Sequence, residues 1–110
     1  MAHRFVTARP ILDRLPELRT RLESGEIESM QPFGASTTEA LERARYDPDT
    51  GQARWVQQDY CTPPLAQERS AILDTYFKDI EVIDRDVEPS DGWTRIEDLP
   101  SLWEWAPSGE

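Results

Sequence analysis

Apolar positions along the chain change their period several times, and each change marks an element. Phe5 and Val6, with β-branched Thr7, form a short run within residues 3–8 that predicts a strand. Ile11, Leu15, Leu18 and Leu22 then recur at steps of four, three and four, the spacing of one helical face. Pro16 is accommodated only in a first turn, so the regular helix is expected from about Asp13 or Leu15, with Ser24 and Gly25 as its stop. Residues 26–33 alternate imperfectly through Ile27 and Met30 and predict a strand, which Pro32 confines to an edge or a strand end. Ser36-Thr37-Thr38-Glu39 fits a capping box ahead of Ala40, Leu41 and Ala44. One or two helical turns are expected there, then a strand from about Ala44; the competing reading runs a strand through Tyr46.

The strongest turn signal is Asp47-Pro48-Asp49-Thr50-Gly51, where proline presets φ, the aspartates cap the turn and glycine supplies a positive φ. A four-residue loop, 48–51, pairs Tyr46 with Ala53 and Ala44 with Trp55, gathering the apolar side chains on one face. The same register sets Arg45 opposite Arg54 and puts Arg43, Arg45 and Arg54 together on the other face. Past Val56 the strand turns polar through Gln57, Gln58 and Asp59 and is expected to leave the core. Thr62 reads as an N-cap with Pro63 at the first helical position, followed by the broadest apolar stripe of the chain: Leu65, Ile72, Leu73, Tyr76 and Phe77. Ile80 to Ile83 predicts a short strand, and residues 87–92 a turn region. Asp98 and Pro100 can start a short helix that turns Ile96, Leu99, Leu102 and Trp103 toward an apolar surface.

Without its two doubtful pieces the element string is β-α-β-β-α-β, the ferredoxin-like order of an antiparallel sheet with helices on one face. The expectation is thus an α+β fold: a single domain over residues 1–92 and an acidic, aromatic, Trp-rich C-terminal extension over 93–110. Three tryptophans within residues 93–105 are costly to leave in water, so this extension is expected to pack on the open sheet face or on a second protomer.

Composition narrows the possible partners. The 110 residues carry 12 basic against 22 acidic side chains, a formal net charge of −10. Such a balance opposes binding to nucleic-acid phosphates or anionic lipid, which need clustered cations, and no apolar run is long enough to span a bilayer. The charge is uneven: residues 1–24 hold five arginines against three acids, whereas residues 78–110 hold ten acids against three cations. One cysteine permits no intramolecular disulfide, and with a start that lacks a signal-peptide run this points to the cytoplasm.

Candidate chemistry is sparse. Cys61 precedes a predicted helix N-terminus, which favours a thiolate, and the expected sheet order brings it near His3, so the two are the candidate catalytic pair; an inert thiol is the plainer reading. Residues 86–97 resemble a calcium loop, but Asp91 stands where the loop needs its glycine, and a solvated acidic turn is preferred. No metal or cofactor is implied. Arg43, Arg45 and Arg54 would attract a carboxylate or phosphate, or pair with the chain's own acids. The sequence therefore favours a non-catalytic interaction or regulatory module, the expected partners being a basic protein or a second copy in a dimer, with Arg43, Arg45, Arg54, Trp93, Trp103 and Trp105 as the binding residues. The alternative is a small-molecule-binding domain or modest enzyme with a site near Arg54, Cys61 and His3.

Overall fold

The computed structural model describes residues 2–59 and 65–105; the side chain of Trp105, Cys61 and the Thr62-Pro63 cap lie outside the described part. The chain is α+β, built on one four-stranded antiparallel sheet in the order β2-β3-β1-β4. The strands are β1 (Ala2–Pro10), β2 (Arg45–Asp47), β3 (Gln52–Asp59) and β4 (Phe77–Asp84). A 3₁₀ turn (Leu12–Arg14) leads into α1 (Leu15–Glu23), with Pro16 in its first turn and Gly25 at φ 80° just beyond its end, and α2 (Gly34–Glu42) follows. After β3 comes one continuous helical rod: α3 (Ala66–Glu68), a π-helical turn (Arg69–Leu73) and α4 (Asp74–Tyr76). Two short helices, α5 (Pro89–Arg95) and α6 (Leu102–Trp105), complete the described part.

The hairpin register follows from its turn. Tyr46 pairs with Ala53, Arg45 with Arg54 and Asp47 with Gln52, leaving residues 48–51 as the loop. Asp47 caps that loop by accepting from the Asp49 amide at 2.9 Å, and Gly51 sits at φ 73°. Ala44 is not part of the strand; its carbonyl accepts from Leu102 instead of facing Trp55 across a ladder.

Alternation along the central strands separates two cores. Val6, Ala8, Ala53 and Trp55 face α1, α2 and the helical rod, and are buried with Leu15, Leu18, Leu41, Ile72, Leu73 and Tyr76. Phe5 and Val56, paired with each other and offset by one residue, lie on the opposite face with Val87 and Ile96, beneath α5. Gly92 makes that contact close: a Cβ there would stand 2.6 Å from Val56 Cγ2.

Four local expectations are corrected. Residues 26–33 form turns instead of a strand, tied by Ser29 N to Gly25 O and Met30 N to Ile27 O; Ile27 is buried as a plug of the main core, so its apolar character never reported a sheet face. Helix α2 begins at Gly34, two residues ahead of the capping box, and Ser36 Oγ donates to the Phe33 carbonyl rather than capping Thr38 or Glu39. The early start requires glycine, since a Cβ at position 34 would meet the Ile27 carbonyl oxygen at 2.2 Å. Residues 87–92 are not simply a turn, because Glu88 caps α5 by accepting from the Ser90 and Asp91 amides at 3.0 and 3.2 Å.

The fourth correction concerns the polar end of β3, which stays inside. Gln57 is fully buried because Trp55 Nε1 donates to its Oε1 at 3.0 Å and its Nε2 donates to Thr37 Oγ1 at 2.6 Å, a network that joins β3 to α2. Asp59 is buried as well, with Arg4 Nε at 3.1 Å and the Leu65 amide at 2.9 Å.

Candidate functional site

Because β2 is only three residues long, it pairs with β3 no further than Arg54. Helix α2 packs beside the rest of β3, and its C-terminus meets α5 there. Arg43 is the C-cap residue of α2 rather than a member of the hairpin face. A guanidinium is favoured at that helix end by the carbonyl dipoles, and Arg43 extends over α5 to place its guanidinium carbon 4.1 Å from the centre of the Trp93 ring. Its one carboxylate partner among the described residues, Glu39 one turn earlier, stands at 3.6 Å, and half of the Arg43 side chain is exposed.

Two clefts share this contact, and another adjoins the first of them. The first, about 460 Å³, is lined by Arg43, Arg45, Trp93 and the acids Glu42, Glu97 and Glu104. The second, about 590 Å³, shares Glu42 and Ser101 with the first and continues past Glu28, Arg19 and Trp103. The third, about 110 Å³, lies on the other side of the Arg43–Trp93 contact and is lined by His3, Ser36, Gln58 and Pro89. Trp93 and Trp103 are half-buried, each with part of its ring surface against the main core, and Trp103 is fixed by its indole N–H donating to the Leu41 carbonyl at 2.7 Å.

The electrostatics of the two larger clefts follow from which charges are already engaged. Arg45 Nη1 donates to the Leu99 carbonyl at 3.0 Å, Arg19 pairs with Glu23 at 3.1 Å, and Arg43 holds Trp93 and Glu39. Glu28, Glu42, Glu97 and Glu104 are exposed and have no ion-pair partner among the described residues. The groove therefore presents unneutralised carboxylate beside indole surface, with its guanidinium groups occupied.

The candidate residues thus separate. Arg43, Arg45 and Trp93 come together in one cleft, Trp103 lies in the adjoining one, and His3 lines the third together with Arg43 and Trp93. Arg54 is elsewhere in function: Asp47 Oδ2 at 3.1 Å and Gln52 hold it along the hairpin. In β1 and β3, His3 pairs with Gln58, near the chain end toward Cys61, which lies outside the described residues. Two of the acids of residues 84–91, Asp84 and Glu88, are also engaged. Asp84 pairs with Arg95, and the Glu88 carboxyl is held below the usual carboxylate range chiefly by its hydrogen bond from the Ser90 hydroxyl and then by the Asp91 amide.

Glu42, Glu97, Ser101 and Glu104 are not among the binding residues the sequence suggests, Glu97 entering only as the end of the calcium-like loop and Glu42 only as an acid able to neutralise the arginines. Glu42 sits one helical turn beyond Glu39 and so shares its side of α2, a signal present in the sequence; Glu97 and Glu104 reach the cleft only through the tail's path across β2.

No family model matches the chain, and neither a curated protein nor a solved structure matches it. Among the described residues no helix is long and apolar enough to cross a membrane.

Proposed function

We propose that the protein is a non-catalytic interaction module that takes a basic segment of a partner protein along the groove between α2, β2 and α5. The observation that carries this reading is the pairing of four glutamates, without an ion-pair partner among the described residues, with the half-exposed rings of Trp93 and Trp103 in two adjoining clefts. Lysine and arginine side chains suit such a surface twice over, through their charge and through their apolar stems or guanidinium planes on indole. A second copy is the poorer occupant. Trp93 and Trp103 already pack on the chain's own core, and two molecules of net charge −10 repel. The lone cysteine fits a reducing, cytoplasmic setting.

At the level of fold we propose the ferredoxin-like arrangement for the sheet. The strand order, read from the other edge as β4-β1-β3-β2, and the antiparallel neighbours support it, with α2 and the tail helices as additions.

The experiment is titration of a fluorescently labelled oligo-lysine peptide, followed by anisotropy, on the full chain and on a variant with Glu42→Gln, Glu97→Gln and Glu104→Gln. Salt-sensitive binding that weakens about tenfold in the variant is the expected result, since exposed ion pairs contribute ~0.2–1 kcal/mol each. Equal weakening when Asp74, Glu81 and Asp98 are neutralised instead would reduce the effect to net charge and overturn the reading.

A further inference from the structure

Arg43 has an unusual position for a residue lining an acidic, aromatic cleft: it is a cation already lying on the ring that a cationic partner would use. Its guanidinium carbon is 4.1 Å from the Trp93 centre, and Trp93 is common to the first and third clefts, so the Arg43 side chain is the partition between them. What holds it there is slight. Half of the side chain is in solvent, and the Glu39 contact at 3.6 Å is an exposed pair of helix neighbours, an interaction of small net worth. Arg45, by contrast, is anchored to the Leu99 carbonyl.

We infer that Arg43 is an internal stand-in for an arginine of the partner: it occupies the indole face of Trp93 when the groove is empty and swings out when an incoming guanidinium takes its place. The exchange is chemically matched. The incoming group finds the same ring, Glu39 and Glu42 on α2, and Glu97 beyond α5, while the displaced Arg43 needs only rotation about its own side-chain bonds at the end of α2. Departure of the partition also joins the first cleft to the one lined by His3 and Gln58, lengthening the groove available to an extended peptide. An arginine is favoured over a lysine because its planar guanidinium stacks on indole as Arg43 does.

This inference rests on the proposed binding of basic segments, and its test separates the two. Oligo-arginine and oligo-lysine peptides are titrated against the full chain, Arg43→Gln, and Arg69→Gln, which removes the same charge from an exposed pair with Asp74 on the helical rod. Arg43→Gln is expected to tighten oligo-arginine binding about threefold or more, with a smaller gain for oligo-lysine and little change in Arg69→Gln. Tightening of the same size in both variants, or weaker binding in Arg43→Gln, overturns the stand-in role while leaving the groove reading intact. Failure of every protein to bind either peptide overturns both. Thermal melts of the variants report that the fold is retained, and Arg43→Lys, which keeps the charge but loses the planar stack, is expected to fall between wild type and Arg43→Gln.

Discussion

The two edges of the sheet are defended in opposite ways. At β2 the strand is three residues long and the chain's own tail closes it: Tyr46 N donates to the Pro100 carbonyl and Leu102 N to the Ala44 carbonyl, both at 2.9 Å, with Arg45 bridging to Ser101. At β4 the strand is eight residues long and pairs only with β1 among the described strands, with no described segment bonded along its outer side. There the ladder is broken by two register shifts, Asp79 takes a left-handed φ of 51°, and Lys78, Asp79 and Glu81 are exposed. Bulges and charges spoil a template for another strand without covering it, whereas a covering segment brings its own side chains to the edge. The difference explains where the groove is: the covered edge recruits Trp93, Glu97, Trp103 and Glu104, and the irregular edge recruits none of them.

Removing the cover's anchor should have the largest effect. Leu102 is fully buried, so Leu102→Ala is expected to destabilise the chain by about 2–5 kcal/mol in denaturant titration and to speed exchange of the Tyr46 amide. An unchanged midpoint would mean that the tail only rests on the edge. Next comes the irregular edge. Asp79→Val forces a β-branched residue into a left-handed backbone, at a cost of roughly 1–2 kcal/mol, and a neutral result would show that β4 re-pairs with β1 without its bulge.

A smaller, pH-dependent effect is expected at the cap of α5. The folded-state pKa of Glu88 is lowered, so the stability it contributes is present above its unfolded value, near 4.5, and is lost as pH falls through the folded value. Glu88→Ala should therefore melt below wild type at neutral pH, with the gap closing as pH falls below the unfolded value; a constant gap would exclude the carboxylate as its source. The smallest change belongs to Ile83, 52% exposed on β4, where Ile83→Thr is expected to stay within about 0.5 kcal/mol of wild type.

What could be read from the sequence was whatever local chemistry decides. Asp47 to Gly51 carries its turn type in its residues, and the alternation of Tyr46, Ala53 and Trp55 then leaves one sensible register, so Arg45 falls opposite Arg54 as expected. The stripe Leu65, Ile72, Leu73, Tyr76 and Phe77 is buried throughout, although Phe77 serves β4 and a π-helical turn interrupts the rod. Where tertiary contacts decide, the pattern misled. Gln57 looked like an exit from the core because its partners, Trp55 and Thr37, are known only once α2 lies against β3. Arg43 was assigned to the hairpin for the same reason: helix α2 keeps the chain until Glu42, and the ring that Arg43 covers is fifty positions away in sequence. Half of the candidate site is thus written in the arginines and tryptophans themselves, and the rest in the route the tail takes over β2.

Gly92 gives the fold a mechanical tolerance. Its missing methyl group is the clearance that lets α5 seat on Val56, and the stiff, branched valine has little room to yield. A shim of one carbon inserted at that seat would lift the helix by its next residue, which is Trp93, and draw the indole away from the guanidinium on the far side. The gap between an aromatic ring and a cation on the surface is in this way gauged from beneath, by an atom the chain does without.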